Sequence, residues 1–245
     1  MNGKAIIKFL VVIAAIIGLF AYFIQPLAGS LKQGLDLQGG THIVLEAEDS
    51  ATGQADNDAV ERAKQILERR INEMGLSEPL VQREGARRII IELPGVKDPD
   101  EAIKRIGKTA VLEFKNDQGQ TVMTGDDLKD AKEELGQNKQ PLVAIELSDE
   151  GAKKFADLTS KNIGRRIAIT LDGKELTNPV VQQAITGGKA TISGSQSLEE
   201  AKDLAILLRS GALPVKINVL EVRTVGPSLG QDSKDKSVVA FSAGI

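Results

Sequence analysis

The sequence predicts an α+β fold in which a membrane anchor precedes a base domain, and a second α+β domain is inserted into that base. Three observations predict it. An apolar run fills residues 5–24. Segments with strand and helix periodicity alternate over residues 41–115. An acid-capped helix, a glycine and an apolar strand follow one another twice, at residues 98–115 and 197–222.

Residues 5–24 predict a transmembrane helix, and we assign residues 1–29 to the anchor. Twenty helical residues span about 30 Å, the thickness of the hydrocarbon core, and Lys8 is the one charge in this run. Lys4 and Lys8 precede every acidic residue, which predicts a cytoplasmic N-terminus and extracytoplasmic residues 30–236. A cleaved signal peptide is the alternative, but its apolar region should be only about 7–15 residues long. In addition, Pro26 occupies the −3 position of the nearest cleavage site.

The elements after the anchor follow the order β-α-β-β-α-β, which is the ferredoxin-like order. Strict alternation predicts the first strand, and Gly75 ends the first helix. Asp98 as N-cap and Pro99 as the first helical residue begin the second helix. The predicted strands are 41–48, 80–83, 88–93 and 110–115, and the helices are 58–74 and 98–106. We assign residues 30–117 to the first part of the base.

A second α+β unit follows and forms the predicted head, residues 118–194. Its predicted strands are 141–147, 167–171, one near Val180 and 190–193, with a helix capped by Ser148. Residues 195–230 then return to the base, because Ser197 and Glu200 have capping-box spacing and an apolar strand follows. Gly119 and Gly194 border the insertion and are predicted as hinges.

Composition excludes several kinds of site. The chain has no cysteine and one histidine, His42, so a thiolate site, a histidine cluster and a catalytic triad lack their residues. Aromatic residues make up 3% and the net charge is −3, which argues against a nucleic-acid binder. We therefore predict no enzyme and no catalytic, cofactor-binding or metal-binding residue.

Two groups of charged residues have alternative interpretations. Asp126, Asp127 and Asp130 would suit a cation, but the first turn of a helix also favours acidic residues. Arg69-Arg70, Arg87-Arg88 and Arg165-Arg166 flank apolar segments, so we predict solvated faces for these pairs, with lipid head groups as the alternative partner.

Two glycine-rich stretches border the soluble region. Gly34-Leu35-Asp36-Leu37-Gln38-Gly39-Gly40 precedes the first strand, and Val225-Gly226-Pro227-Ser228-Leu229-Gly230 follows the last one. A glycine pair that opened a helix could hold phosphate, but this pair opens a strand, which favours a tight turn with positive φ.

Both stretches resemble the SecD family of membrane proteins, which assist bacterial protein export. That family has a GLDLxGG stretch after its first membrane helix and an xGPxLG stretch before its second. Residues 63–75 and Ile90-Ile91-Glu92-Leu93-Pro94-Gly95 are also similar to the family. The motif residues that the resemblance carries over are Gly34, Leu35, Asp36, Leu37, Gly39, Gly40, Gly226, Pro227, Leu229 and Gly230, with a structural or coupling role.

The resemblance implies an accessory subunit of the Sec machinery in the bacterial inner membrane. Its extracytoplasmic domain would capture unfolded preprotein and promote completion of translocation driven by the proton-motive force. The implied partners are SecF, separate or fused, the SecYEG translocon and the lipid bilayer. A scaffold that holds the translocon together without binding preprotein is the alternative, and a hydrolase is a third hypothesis that the composition disfavours.

The C-terminal residues 237–245 are apolar and too few to span a bilayer. They are either a frayed tail or the start of a second membrane helix. The resemblance favours the second choice, with residues 231–245 as linker and helix start in a longer protein.

Overall fold

The computed structural model describes residues 13, 35, 39–49, 53–76, 79–96 and 98–226. The predicted anchor, six of the motif residues (Gly34, Asp36, Leu37, Pro227, Leu229 and Gly230) and the apolar C-terminus lie outside these residues. In the part of the chain that is described, no helix is both long enough and apolar enough to cross a membrane.

The first sheet has four antiparallel strands in the order β11-β1-β3-β2. Two helices, α1 and α2, contribute to its core. The strands are β1 (Gly40–Glu48), β2 (Leu80–Glu84), β3 (Arg88–Pro94) and β11 (Lys216–Val225), and the helices are α1 (Asn57–Glu73) and α2 (Pro99–Ile106). We call this unit the base.

Local sequence determines the ends of both base helices. The carboxylate of Asp56 accepts the N–H of Ala59 and caps α1, which begins one residue before the predicted helix at 58–74. Gly75 follows α1 with φ +73°, as predicted. Asp98 accepts the N–H groups of Asp100 and Glu101 and begins α2.

The predicted strand at residues 110–115 forms, but its assignment to the base is wrong. It occupies Leu112–Lys115 as β4 and pairs with β5 (Thr121–Thr124) and β8 (Ala168–Leu171). Its place in the base sheet is taken by β11, which comes about a hundred residues later and pairs with β1. Sequence pattern alone cannot distinguish two apolar strands that follow similar helices, because pairing is decided by tertiary contacts.

The second unit, which we call the head, contains two small sheets. One has the order β10-β7-β6 and the other the order β5-β4-β8-β9. Its remaining elements are β6 (Leu128–Leu135), β7 (Pro141–Leu147), β9 (Lys174–Thr177), β10 (Lys189–Ser193), α3 (Asp149–Lys161) and α4 (Leu198–Ser210).

Helix α4 packs on the head rather than on the base, which corrects the predicted boundary at residue 195. Ser197 caps it by accepting the N–H of Glu200, as predicted. Its predicted inward face, Ala201, Leu204, Ala205 and Leu208, belongs to the hydrophobic core of the head. The base core resumes only at Leu213 and Val215.

Residues 121–135 form two strands that the sequence pattern did not reveal. Only Met123, Asp127 and Ala131 are buried there, so the segment lacks the alternation of apolar and polar residues that predicts a strand. Asp126 and Asp127 lie in a single 3₁₀ turn, and Asp130 lies on β6, so the helix start expected at these acids is wrong.

Candidate functional site

Close contacts between backbone segments require glycine at the start of β1. Gly39 and Gly40 have φ of +67° and +147°. A Cβ atom on Gly40 would lie 2.3 Å from the carbonyl oxygen of Leu93 and 2.8 Å from Cα of Pro94. The N–H of Gly95 also donates to the carbonyl of Gly39 at 2.9 Å. Two of the motif stretches therefore pack against each other, and only glycine fits at residue 40.

The two glycine-rich stretches meet at one end of the base sheet. Gly40 at the start of β1 is the register partner of Val225 at the end of β11, and Gly226 follows directly. The chain thus enters and leaves the described base at the same place. Among the described residues, a Cβ atom on Gly226 would meet nothing within 4 Å, in contrast to a Cβ atom on Gly40.

The predicted hinges, Gly119 and Gly194, do not separate the two units. Gly119 lies in the turn that joins β4 to β5, where its N–H donates to the carbonyl of Asn116 at 3.0 Å. Gly194 joins β10 to α4, and both elements contribute to the core of the head. Each glycine connects neighbours within one unit, so neither is placed to act as a hinge between base and head.

The chain instead crosses between the two units after α2 and after α4. Residues 107–111 lead from the base to β4, and residues 211–212 lead back. The N–H of Leu213 donates to the carbonyl of Thr109 at 2.8 Å, which joins the two crossings. On the side of the head, the carboxylate of Asp172 accepts the N–H groups of Ala110 and Val111 at 3.1 and 2.9 Å.

Two half-buried ion pairs link the units beside these crossings. Arg105 of α2 donates to both carboxylate oxygens of Asp203 of α4, and Nε lies 3.0 and 2.9 Å from them. Arg209 of α4 lies 3.0 Å from the carboxylate of Glu73 at the end of α1. The Asp203 hydrogen bond is the main reason why the pKa of Arg105 is raised.

Arg70 is completely buried at the junction, which corrects its predicted place on a solvated face. Its relative exposure is 0%, whereas its neighbour Arg69 is exposed. Burial lowers the pKa of Arg70 to about 10, partly offset by the charge of Asp172, so the side chain stays protonated at neutral pH. The other two arginine pairs do lie at the surface, where Arg87 contacts Asp49 and Arg165 contacts Asp117.

The head contains a groove of about 800 Å³. Its wall is mainly aliphatic and comes from β7, α3, β8 and the loop before β10, while the rim carries charges of both signs. Among the lining residues are the apolar Ile145, Phe155, Ile167, Ile169, Val181 and Ile185 and the charged Asp130, Lys132, Glu134, Glu146 and Lys189. This is the chemistry of a site that accepts apolar groups of varied shape.

Hydrogen bonds to the neighbouring segments hold the loop that forms one wall of this groove, including that from the N–H of Ile167 to the carbonyl of Pro179 at 3.1 Å. The Oγ1 atom of Thr159, a buried residue of α3, accepts the N–H of Ile185 at 3.0 Å. Val181 exchanges backbone hydrogen bonds with Gly164 and Arg165. Val180 on the same loop is 45% exposed, so an apolar side chain stands at the mouth of the groove.

The remaining sequence candidates have ordinary structural partners. Nδ1 of His42 lies 3.5 Å from the carboxylate of Glu92 on the neighbouring strand. Asp127 accepts Nζ of Lys154 at 2.7 Å, and Asp130 lies 3.1 Å from Nζ of Lys132. Within the described residues, no cluster of three or more histidine and acidic residues could hold a metal ion.

Three family models match this chain. They are described as "SecDF, P1 head subdomain" over residues 103–215, "Protein translocase subunit SecDF, P1 domain, N-terminal" over residues 60–119 and "SecD/SecF GG Motif" over residues 31–51. A SecD translocase subunit of Desulfurispirillum indicum is 32% identical, and the match covers all of this chain and 70% of that relative. The chain belongs to the SecD family.

Other relatives agree with this assignment. The SecD subunit of Acidaminococcus fermentans is 57% identical over the whole chain, which covers 59% of that relative. A crystal structure titled "SecDF in Super-membrane-facing form" superposes with a TM-score of 0.74 and 40% identity over 86% of this chain and 34% of the other. The chain spans about half to three-fifths of the length of its first curated relatives.

The comparisons confirm the SecD resemblance and the mixed α+β fold. The model of the SecDF head subdomain includes α4, in agreement with the packing of that helix. Sequence reasoning missed the groove, because its wall combines four separate segments. It also missed Arg70, although one signal was available: Arg70 falls next to Ile71 and three residues after Leu67, on the predicted inward face of α1.

Proposed function

We propose that this SecD chain is part of a Sec export accessory subunit and that its head groove binds extended, unfolded preprotein as the preprotein leaves the translocon. The groove carries the proposal. Burial of any apolar side chain against its aliphatic wall is favourable. A rim with charges of both signs imposes no strict sequence on the bound segment. A site with these properties suits an export partner that must accept many clients.

The placement of the two glycine-rich stretches supports the proposed membrane topology. Because Gly40 and Val225 are paired, segments before β1 and after β11 leave the base on one side. Residues 5–24 would anchor that side to the inner membrane with the N-terminus in the cytoplasm. The base and head would then lie on the extracytoplasmic side of the membrane. The motif residues would have a structural or coupling role.

We interpret the base as ferredoxin-like, with the head inserted between its second helix and its last strand. The base elements then occur in the order β1-α1-β2-β3-α2-β11. In this interpretation the head runs from β4 to α4, and the crossings at residues 107–111 and 211–212 replace Gly119 and Gly194 as the hinge.

We further propose that movement of the head on this hinge couples the groove to the proton-motive force. One charge that crosses 100 mV releases about 2.3 kcal/mol, enough to shift a two-state equilibrium roughly fifty-fold. SecF, separate or fused, and SecYEG are the proposed partners, because relatives of this chain are named SecDF.

Cross-linking inside the groove tests preprotein capture. A photoreactive residue replaces Val180, which lines the groove and is 45% exposed, or Leu135, which is 53% exposed on the head and outside the groove. In membranes that carry the full-length protein and translocon, we expect adducts with a stalled precursor at residue 180 and about tenfold fewer at residue 135. Equal yields at both residues would remove this role from the groove.

A groove-filling substitution separates capture from the scaffold alternative. Ala190→Trp should occupy the groove that Ala190 lines, so export should slow while partner subunits still co-purify. Normal export with a filled groove would favour the scaffold. This test is preferable to deletion of residues 118–194, because deletion would expose the apolar face of α4 that packs on the head.

A further inference from the structure

Three arginine side chains link the base to the head in the described part of the chain, and they differ sharply in burial. Arg105 pairs with Glu199 of α4 at 3.6 Å as well as with Asp203. The ion pairs Arg105–Asp203 and Arg209–Glu73 keep 22–30% of each side chain exposed. Arg70 has 0% exposure. Water can therefore replace the partners of the two ion pairs, but it cannot reach Arg70 without the junction opening.

Arg70 holds both crossings at once. Its Nη1 donates to the carbonyl of Ile106 at 2.7 Å and also to the carbonyl of Lys108, which are at the end of α2. Its Nε donates to Oγ of Ser210 at 3.1 Å and its Nη2 to the carbonyl of Gly211 at 2.8 Å, at the end of α4. One side chain of α1 thus fixes the last residue of a base helix and the last residue of a head helix.

The chemistry of this site requires an arginine. The C-terminal carbonyls of a helix lack intrahelical donors and carry the negative end of its dipole. Two such ends converge on Arg70, and no carboxylate lies within ion-pair distance of it in the described part of the chain. The planar guanidinium supplies several N–H donors in different directions, whereas an ammonium on a flexible stem cannot serve both helix ends at the same distances.

We propose that Arg70 is the fixed pivot of the joint between base and head, and that the two ion pairs are latches. The head turns when Arg105–Asp203 and Arg209–Glu73 separate, while the bonds from Arg70 to both helix ends persist. The exposed side of a half-buried ion pair is hydrated, so separating it costs less than breaking the contacts of a fully buried charge. A buried guanidinium that lost its carbonyl partners would remain unpaired in an apolar interior, so the joint rotates about Arg70 instead of breaking there.

Two pairs of spin labels on the full-length protein in lipid nanodiscs test this arrangement. Gln65, Asn72 and Asn138 are exposed and Ala212 is half-buried, and the sequence has no native cysteine to replace. Labels at Gln65→Cys and Asn138→Cys report the distance from base to head. Labels at Asn72→Cys and Ala212→Cys report the distance next to Arg70. The latch variant combines Glu73→Gln with Asp203→Asn and Glu199→Gln, because Arg105 pairs with both acidic residues of α4. The pivot variant is Arg70→Lys.

We expect the latch variant to broaden the 65–138 distance distribution about twofold and to leave the 72–212 distribution unchanged. Arg70→Lys should broaden both distributions, and Arg69→Lys, the exposed neighbour, should change neither. The proposal is overturned if the 72–212 distance stays narrow in Arg70→Lys, or if it broadens as much in the latch variant. Arg70→Lys keeps the charge, so the test remains available if Arg70→Met does not fold.

The link from this joint to export rests on the proposed function, and the same samples separate the two. If the distances change as expected but the latch variant exports normally, the pivot is retained. The coupling of head movement to translocation is then rejected. Unchanged distances in Arg70→Lys would reject the pivot whatever the export rate.

Discussion

The base buries its core with one four-stranded sheet and two helices, whereas the head closes its core between two smaller sheets and two helices. The base core contains only aliphatic side chains. The head core contains the ring pair Phe114–Phe155, with centroids 6.0 Å apart in an edge-to-face arrangement. Phe114 and Phe155 are the two aromatic residues between Phe23 and Phe241 in the sequence, and they contact each other in the head core.

The base and the head also differ in the size of their cavities. A cavity of the base measures about 270 Å³, whereas the groove of the head measures about 800 Å³. In the base, long strands pair closely and a backbone contact at Gly40 closes one end. In the head, most strands are short, and the groove lies between strands, a helix and a loop. The comparison indicates that the head offers more space to an apolar partner than this cavity of the base does.

Gly40→Ala should produce the largest effect, because it places a Cβ atom against the backbone that closes the base. The expected loss in unfolding free energy is about 4 kcal/mol or more. Neither a shift of the Leu93 carbonyl nor a change of the positive φ at residue 40 is possible without strain in the backbone. Chemical denaturation measures it. The matched control is Gly226→Ala, a motif glycine with open space around it, which should change stability by less than about 0.5 kcal/mol. Similar losses in both variants would contradict a steric requirement at Gly40.

Arg70→Met should produce the next largest effect, because it acts on the boundary between the two regions. It removes the donors of three carbonyl groups and one hydroxyl. Buried acceptors without partners cost about 1–3 kcal/mol each, but loss of a desolvated cation offsets part of this. We expect a net loss of about 3 kcal/mol in thermal or chemical unfolding. Arg69→Met on the exposed neighbour should cost less than about 0.5 kcal/mol, and an equal cost would show that helix propensity, not burial, is responsible.

Much of the base could be predicted because its signals are local. Asp98-Pro99 and Gly107 begin and end α2 as the sequence indicates, and alternation locates β1. The assignment of β4 and α4 to the base was wrong for a different reason. Both segments are apolar enough to enter a core, but an apolar segment does not indicate which of two cores it enters.

The functional features were harder to predict because they depend on distant residues. The groove combines β7, α3, β8 and a loop, and none of these segments is unusual alone. Arg70 lies on the buried face of α1, but its partners are 36 to 141 residues away. Glycine motifs suggested hinges at Gly119 and Gly194, yet those glycines serve turns that need positive φ.

Phe114→Leu should have a moderate effect that sharpens the contrast between the cores. It removes the edge-to-face contact with Phe155, worth about 0.5–1.5 kcal/mol beyond area burial, together with some ring volume. We expect a loss of about 1–2 kcal/mol in unfolding free energy. Ile91→Val removes one methylene from the aliphatic base core and should cost about 0.5–1.5 kcal/mol. Hydrogen exchange should show the first change in the head and the second in the base, and the opposite pattern would undo the assignment of the two cores.

Glu113 on β4 should have the smallest effect, and a pH-dependent one. Its carboxylate accepts Nζ of Lys115 at 2.9 Å, Oγ1 of Thr121 at 2.8 Å and Oγ1 of Thr170 at 3.3 Å. These bonds, that of Lys115 first, hold its pKa below the usual 4.5. A carboxyl group with a lowered folded pKa contributes stability above about pH 4.5, which is lost as the pH falls through the folded pKa.

Glu113→Gln should therefore reduce the unfolding free energy at pH 7 by less than about 1 kcal/mol, and the difference from the native protein should be smaller at pH 3, because it is lost as the pH falls through the folded pKa. Urea unfolding at both pH values measures it. Glu133→Gln, at an exposed position of β6, is the matched control and should show no such dependence. A difference at Glu113 that persisted unchanged to pH 3 would mean that hydrogen-bond geometry, rather than the charge of the carboxylate, joins β4 to its two neighbouring strands.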